Sequence, residues 1–276
     1  MQREEPRARP PDLHFDGLIV DLDGVVWIGA TAVSGSVAAI ARLRADGVRL
    51  VFMTNDPRGS RSDYAARLSG LGIPADENQV VTSGSTLASV LRQREAAGAT
   101  AFVIGSPALK EELAGAGLEL LPGEAGRDAE IIAVGGHDAF DYHELRIAIQ
   151  AARRGGRLYA AGRDATFPMP DGPWPGTGSI VAAVEVGGGT TAITVGKPEP
   201  AIFDVARSLL AGCHRIAIVG DNLDADIAGG KRAGLTTILV LSGTSKRDDV
   251  AGSSVVPDVV LPDLAALIEA DRESWH

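Results

Sequence analysis

Four short segments carry residue types that together can handle a phosphate ester. The first is Asp21-Leu22-Asp23-Gly24, at the end of the apolar run Gly17-Leu18-Ile19-Val20. Two acids one residue apart beyond a buried strand, followed by a glycine that turns the chain, can face one crevice. One carboxylate can attack phosphorus while the other moves a proton. The second segment, Thr54-Asn55-Asp56, offers a hydroxyl, an amide and backbone N–H groups to phosphate oxygens. The third, Val195-Gly196-Lys197-Pro198-Glu199-Pro200, sets a lysine between a short apolar run and a helix opened by proline. An ammonium fixed there balances the charge of nucleophile and phosphate together. The fourth, Gly220-Asp221-Asn222-Leu223-Asp224-Ala225-Asp226, clusters acids beyond the run Ile216-Ala217-Ile218-Val219 and suits a hard cation such as Mg²⁺. Taken singly, each has a plainer reading: an Asp-Gly turn, a capping loop, a solvated lysine, acids at a helix start. A calcium loop counted from Asn222 fails, because its turn-glycine position is Ile227 and its closing acid position is Ala233.

The elements that must position these residues follow from the hydrophobic pattern. Apolar runs alternate with helical spacing throughout, which predicts an α/β protein with a mostly parallel sheet. Strands are expected over 17–21 and 48–53, with helices over 36–46 and around Tyr64, Leu68 and Leu71. From about 82 to 189 the rhythm continues with its own strands at 101–104, 131–134 and 158–160 and helices near 107–114 and 142–153. Gly187, Gly188 and Gly189 read as a flexible joint. Further strands at 193–195, 216–219 and 237–241 follow, with helices from Pro200 and near Leu264. The expected organisation is a core built from both ends of the chain, 1–82 and 188–276, with a second domain, 83–187, inserted between them. Parallel strands end along one sheet edge, so four weak signals become one constellation with every role phosphoryl transfer needs.

Bulk properties bound the partners. The 276 residues are 45% hydrophobic but only 4% aromatic, and the net charge is −10. That balance disfavours nucleic acid and anionic membrane as principal partners, since both reward a basic face. No run of roughly 18 apolar residues could span a membrane. Cys213 is the only cysteine, which rules out an intrachain disulfide and fits a reducing cytoplasm. Residues 1–12 are charged and proline-rich, lack the apolar run of a secretory leader, and read as a loose arm. Gly176-Thr177-Gly178 lacks the preceding strand and full spacing of a dinucleotide site, and the five histidines do not pair at metal spacing.

With the motifs laid out, the sequence resembles the haloacid dehalogenase superfamily of phosphohydrolases. Asp21 to Trp27 (DLDGVVW) is similar to its first motif, and the Thr54, Lys197 and Asp221 segments to its second, third and fourth. PMPDGPWPGTGSIVAAVE, VGKPEPAIF and GDNLDADIAGG are similar to stretches of the NagD-like subclass. The resemblance implies a Rossmann-like parallel-sheet core with a large inserted α/β cap. It implies Mg²⁺-dependent hydrolysis of a small phosphorylated metabolite, whether a polyol, glycolate, sugar or nucleotide monophosphate, through a phosphorylated Asp21. Asp23 would protonate the leaving alkoxide and then activate water. Mg²⁺ would bind Asp21, the backbone carbonyl of Asp23, and Asp221, with Asn222 and Asp226 supporting. Thr54 would hold the phosphoryl group and Lys197 would balance charge. Gly24, Asn55, Asp56, Arg163 and Asp164 are expected at the substrate, and a homodimer through the cap is an expected assembly.

Two departures from the family pattern bear on substrate binding. Asp56 stands where relatives commonly carry Asn, and its charge would repel phosphate, so its backbone is expected to bind instead. Ala161-Gly162-Arg163-Asp164 replaces a Thr-Asn-x-Asp and gains Arg163. The loop 162–175, with Arg163, Asp164 and Trp174, is expected to select the leaving group. A receiver-type phosphoacceptor domain shares the Asp, Thr and Lys set but is far shorter. A silent binding protein would be expected to lose Asp23 or Lys197, and both are present.

Overall fold

The computed structural model describes residues 14–169 and 171–268, so the expected arm at 1–12 lies outside the described residues. In chain order the strands are β1 (Gly17–Asp21), a small ribbon of β2 (Trp27–Ile28) and β3 (Thr31–Ala32), then β4 (Arg49–Thr54) and β5 (Val80–Thr82). Next come β6 (Thr100–Gly105), β7 (Glu119–Leu120), β8 (Ile131–Gly136) and β9 (Arg157–Ala160). The hairpin β10 (Thr166–Met169) and β11 (Gly172–Pro175) follows, then β12 (Ile193–Thr194). The chain finishes with β13 (Ile216–Gly220), β14 (Thr236–Val240) and β15 (Val259–Leu261). They form a six-stranded sheet in the order β15-β14-β13-β1-β4-β5 and a five-stranded sheet in the order β12-β9-β8-β6-β7. Every pairing in both sheets is parallel.

Both sheets are buried on both faces, as uniformly apolar strands require. In the six-stranded sheet, Leu18, Val20, Leu50, Phe52, Ala217 and Val219 pack on one side. The alternate residues Ile19, Val51, Met53 and Ile218 pack on the other, against Ile202, Phe203 and Ala206. Those three come from the helix Pro200–Leu209. The chain leaves β1 toward β4 and β5, and later returns on its other side to β13, β14 and β15. This reversal opens a crevice at the carboxyl ends beside β1, where ligands of such sheets bind.

Two sequence expectations need correction. Ile193–Thr194 was expected in the second core segment, yet β12 pairs with β9 at the edge of the five-stranded sheet. A two-residue strand carries too little pattern to announce which sheet it joins. The return to the six-stranded sheet therefore comes after Thr194, and Lys197 reaches the crevice from the edge of the second sheet. The glycines 187–189 are not a flexible joint. Gly187 and Gly188 end the helix Thr177–Gly188, and Gly189, at φ 67°, closes it in the left-handed conformation. A Cβ on Gly187 would overlap Ile149, and one on Gly188 would come within 2.7 Å of Ala152 Cβ. Small residues here let this helix press against the helix Tyr142–Arg153.

Candidate active site

Strand ends deliver the first acids and the hydroxyl. β1 ends on Asp21, β4 on Thr54, and Asp221 follows β13 directly. Asp221 and Asp226 come onto one side because the turn Leu223–Ile227 is a wide π-type turn, in which Ile227 N–H donates to Asn222 O at 3.2 Å. Such turns recur at functional sites. Asn222 organises the turn: its Oδ1 accepts from Asp224 N and Ala225 N at 2.9 and 3.0 Å, and its own N–H donates to Asp226 Oδ2 at 3.1 Å.

At the centre, Lys197 Nζ donates to Asp21 Oδ1 at 2.5 Å and to Asp226 Oδ1 at 2.7 Å, with all three side chains buried. Burial alone would pull the Lys197 ammonium down, but the two carboxylates outweigh it and hold the group well above its usual range. Lys197 therefore stays charged. Burial pushes the Asp21 carboxyl up, with Asp226 and Asp221 adding to the push, while the Lys197 ammonium opposes it. Asp221 is likewise raised by burial and by Asp226, against a 2.5 Å hydrogen bond from Thr244 N–H to its Oδ2.

These charges do not balance by themselves. Asp21, Asp221 and Asp226 bring one carboxylate oxygen each to within 4.8 Å of one another, the one such group among the described residues, and all three are buried. A single ammonium faces them. Buried like charges at that separation call for a further cation, and an all-oxygen donor set suits Mg²⁺. Gly24 (φ 81°) lies against Asp221, where a Cβ would overlap its Oδ2. Gly24, expected at the substrate, has a packing role here: the glycine lets the Asp21 loop close onto the fourth motif.

Asp23 stands apart from the triad and is open to the crevice. Its Oδ1 accepts from Trp27 Nε1 at 2.9 Å. The indole is fully buried, stacked on Tyr64 with ring centres 6.5 Å apart, and covered by the Arg67 guanidinium at 3.9 Å. Protein crowded around Asp23 pushes its carboxyl above the usual range, and the Trp27 hydrogen bond pulls it back. A carboxyl with raised affinity for a proton, reachable from the crevice, suits an acid/base role.

The second segment does different work from that expected. Asn55 spends its amide on the third segment: Oδ1 accepts from Lys197 N–H, and Nδ2 donates to Lys197 O and to Asp164 Oδ2, the latter at 3.2 Å. Asp56 N–H, expected to bind phosphate, donates instead to Thr54 Oγ1 at 3.0 Å. The Asp56 carboxylate is gripped by Arg58, whose Nε and Nη2 each approach it at 2.9 Å. Burial raises the Asp56 carboxyl, but Arg58 prevails and holds it below the usual range. A charge that would have repelled phosphate is thereby neutralised by a residue two positions on.

The cap loop also departs from expectation. The Arg163 fork is committed to Glu185 at 2.5 and 3.2 Å, and its Nε donates to Thr194 Oγ1 at 3.0 Å. All these partners belong to the second sheet and its helix, so Arg163 stiffens the loop and is not free for a substrate. Trp174 Nε1 donates to Asp171 within its own hairpin at 2.8 Å. Asp164 does reach the core, through Asn55.

Two features escaped the sequence reading. Arg58 joins Asp56 to the second unit, lying 4.5 Å from the Phe167 ring centre and 4.0 Å from Asp138. The loop 241–245 after β14 holds both the first and the fourth motif: Ser242 Oγ donates to Gly24 O at 2.6 Å, and Ser245 Oγ accepts from Leu223 N at 3.1 Å. Its signal was present, since Leu241-Ser242-Gly243-Thr244-Ser245 also follows an apolar strand on the same sheet edge.

Comparison with known proteins agrees with this geometry. A model described as haloacid dehalogenase-like hydrolase matches residues 18–119, and a second model of HAD-like hydrolases matches residues 194–267. Glycerol-3-phosphate phosphatase of Gallus gallus is 37% identical, over 97% of this chain and 95% of its own. A glycerol phosphate phosphatase from Mycobacterium tuberculosis, solved in complex with magnesium, is 32% identical with a TM-score of 0.86, over 92% of this chain and 76% of that one. NagD from E. coli K-12 is 31% identical with a TM-score of 0.82, over 91% and 97%.

Proposed function

The chain belongs to the haloacid dehalogenase-like hydrolases, in their NagD-like branch, and on that premise we propose that Asp21 is phosphorylated in turnover while Asp23 carries the proton. The enzyme is a magnesium-dependent phosphatase of small phosphorylated metabolites. The observation that carries the mechanism is the buried Lys197 ammonium bonded to Asp21 and Asp226 at once. It sets a positive charge against the Asp21 carboxylate, opposing the upward push of burial, and so favours the nucleophilic form.

In the first step an Asp21 oxygen bonds to phosphorus as the ester P–O bond breaks, and Asp23 gives its proton to the departing alkoxide. In the second a water oxygen attacks phosphorus, Asp23 takes the water proton, and the bond from phosphorus to Asp21 breaks to release orthophosphate. Thr54 and Lys197 hold the phosphoryl group between steps. Asp21, the Asp23 carbonyl and Asp221 would hold Mg²⁺, which supplies positive charge to phosphate oxygens and nucleophile alike.

We read residues 83 to about 194 as the cap and the other described residues as the core, with the cap closing over the crevice to choose the leaving group. Arg58, Asp138 and Phe167 meet where cap and core join, and this reading sets them with Asp164 beside the leaving group. Polyol, glycolate, sugar and nucleotide monophosphates are the substrate classes in this reading, with glycerol phosphate the first to assay given the names of the relatives. Action in the cytoplasm and a homodimer through the cap complete it. The test is phosphate release across these metabolites with Mg²⁺ present. Turnover of one class well above the rest supports the reading, and no release from any of them or from p-nitrophenyl phosphate overturns it.

A further inference from the structure

The amino-terminal ends of β4 and β5 lie at the opposite edge of the core sheet from Asp21 and Thr54. Five residue steps along β4, from Arg49 to Thr54, set roughly 17 Å between the two edges. A cavity of about 420 Å³ opens at this far edge, within the usual size of small-molecule sites. Arg44, Val48, Arg49, Asn78, Gln79 and Leu209 are among its walls, and among the described residues no Asp or Glu lines it.

Arg44 stands in the last turn of the helix Ser36–Ala45. Its Nη2 is buried without a hydrogen-bond acceptor, and no described carboxylate is paired with it. Arg42 of the same turn takes Asp46 at 2.7 Å, so the acid two residues beyond Arg44 is already engaged. Arg44 has the face of the Phe52 ring, 5.8 Å away, which is a weak substitute for a counter-ion. Burial with no acid to offset it pulls the guanidinium below its usual range. Arg49 is fixed differently: its Nη1 donates to Ala211 O at 2.6 Å and its Nη2 to Leu209 O at 2.8 Å. Backbone carbonyls hold that fork in place without cancelling its charge.

Two guanidinium groups with no acid among the described residues, one of them partly desolvated without a counter-ion there, suit an oxyanion, which accepts from arginine in a planar fork. The chain carries a net charge of −10, yet this lining has two arginines and no described acid. We propose that this cavity is a second, non-catalytic site that binds a small organic anion. Its carboxylate or phosphate lies against Arg44 beside Arg49, and its apolar body lies against Val48 and Leu209.

Two bromine-bearing probes test the site in crystals of the full chain, 4-bromobenzoate for a carboxylate and 4-bromophenylphosphonate for a phosphate. An anomalous bromine peak in the cavity with either probe supports the site, and which probe gives it identifies the anion. Peaks confined to the Thr54 and Lys197 crevice, or no peak, overturn it. In solution, Arg44→Gln should weaken calorimetric binding of the probe that gave the peak by about tenfold or more, with p-nitrophenyl phosphate turnover within about twofold of wild type. Arg44→Lys keeps the charge but not the fork and should regain part of the affinity. Binding by Arg44→Gln or Arg44→Lys that is indistinguishable from wild type would also overturn the assignment.

Discussion

Asn55 and Lys197 lie 142 residues apart in the chain and close a two-point clamp. Asn55 Oδ1 accepts from the Lys197 N–H at 2.7 Å, and Asn55 Nδ2 donates to the Lys197 carbonyl at 3.0 Å. The clamp fixes the backbone from which the central ammonium projects, so the second motif positions the third. Asn55→Ala strands both backbone groups, at a cost of roughly 1–3 kcal/mol. Turnover should fall by about 10–100-fold while the Mg²⁺ requirement is kept, as for other supports of reactive groups. Steady-state kinetics over a metal titration check this, and an unchanged kcat would remove the role.

The three-carboxylate cluster makes a metal prediction. Activity should vanish with EDTA and return with Mg²⁺, and Ca²⁺ should support it poorly, because calcium takes more ligands at longer distances. Asp221→Ala should raise the Mg²⁺ concentration needed for half-maximal activity sharply. Full activity after exhaustive chelation would remove the metal from the mechanism.

A pH prediction follows from Asp23. The acid form does the work in the first step, so kcat/KM should fall as pH rises through its raised pKa. Trp27 donates to the charged form and therefore lowers that pKa. Trp27→Phe removes the donor, the pKa rises further, and the basic limb should move to higher pH. Asp23→Asn should lose this limb together with about 10²–10⁴ in rate. A limb that stays put in Trp27→Phe would detach it from Asp23.

Residues whose position follows from a strand end were legible in the sequence. Asp21, Thr54 and Asp221 each close an apolar run, and parallel pairing alone brings those ends to one edge. Partner choice at long range was not legible. Arg163 looked free, but Glu185 sits one helix away and captures it, and nothing in the spacing names that pair. Asp56 looked like a repulsive charge until the fold turned Arg58 back onto it. The strand β12 was too short to announce its sheet, and glycines 187–189 imply close helix packing only once the facing helix is known.

Substrate choice should respond to Arg58 and not to Arg163. Arg58→Ala frees the Asp56 charge and removes the contacts to Phe167 and Asp138. It should shift relative kcat/KM among metabolites by roughly 1–3 kcal/mol. Arg163→Ala loosens the cap loop and should slow all substrates by a similar factor. The measurement is a side-by-side metabolite panel for both variants. A reversal, with Arg163 changing the ranking and Arg58 not, would return the selector role to the loop.

The central claim is the covalent step at Asp21, and rapid quench with a ³²P-labelled phosphate ester tests it directly. With labelled p-nitrophenyl phosphate, whose leaving group departs without a proton, Asp23→Asn lacks only the base of the second step, so the label should appear on the protein, resist acid, leave with hydroxylamine and map to the peptide bearing Asp21. Asp21→Asn should carry no label and show no turnover. Turnover with no label on Asp21 at any quench time, or label and turnover surviving in Asp21→Asn, would contradict the account.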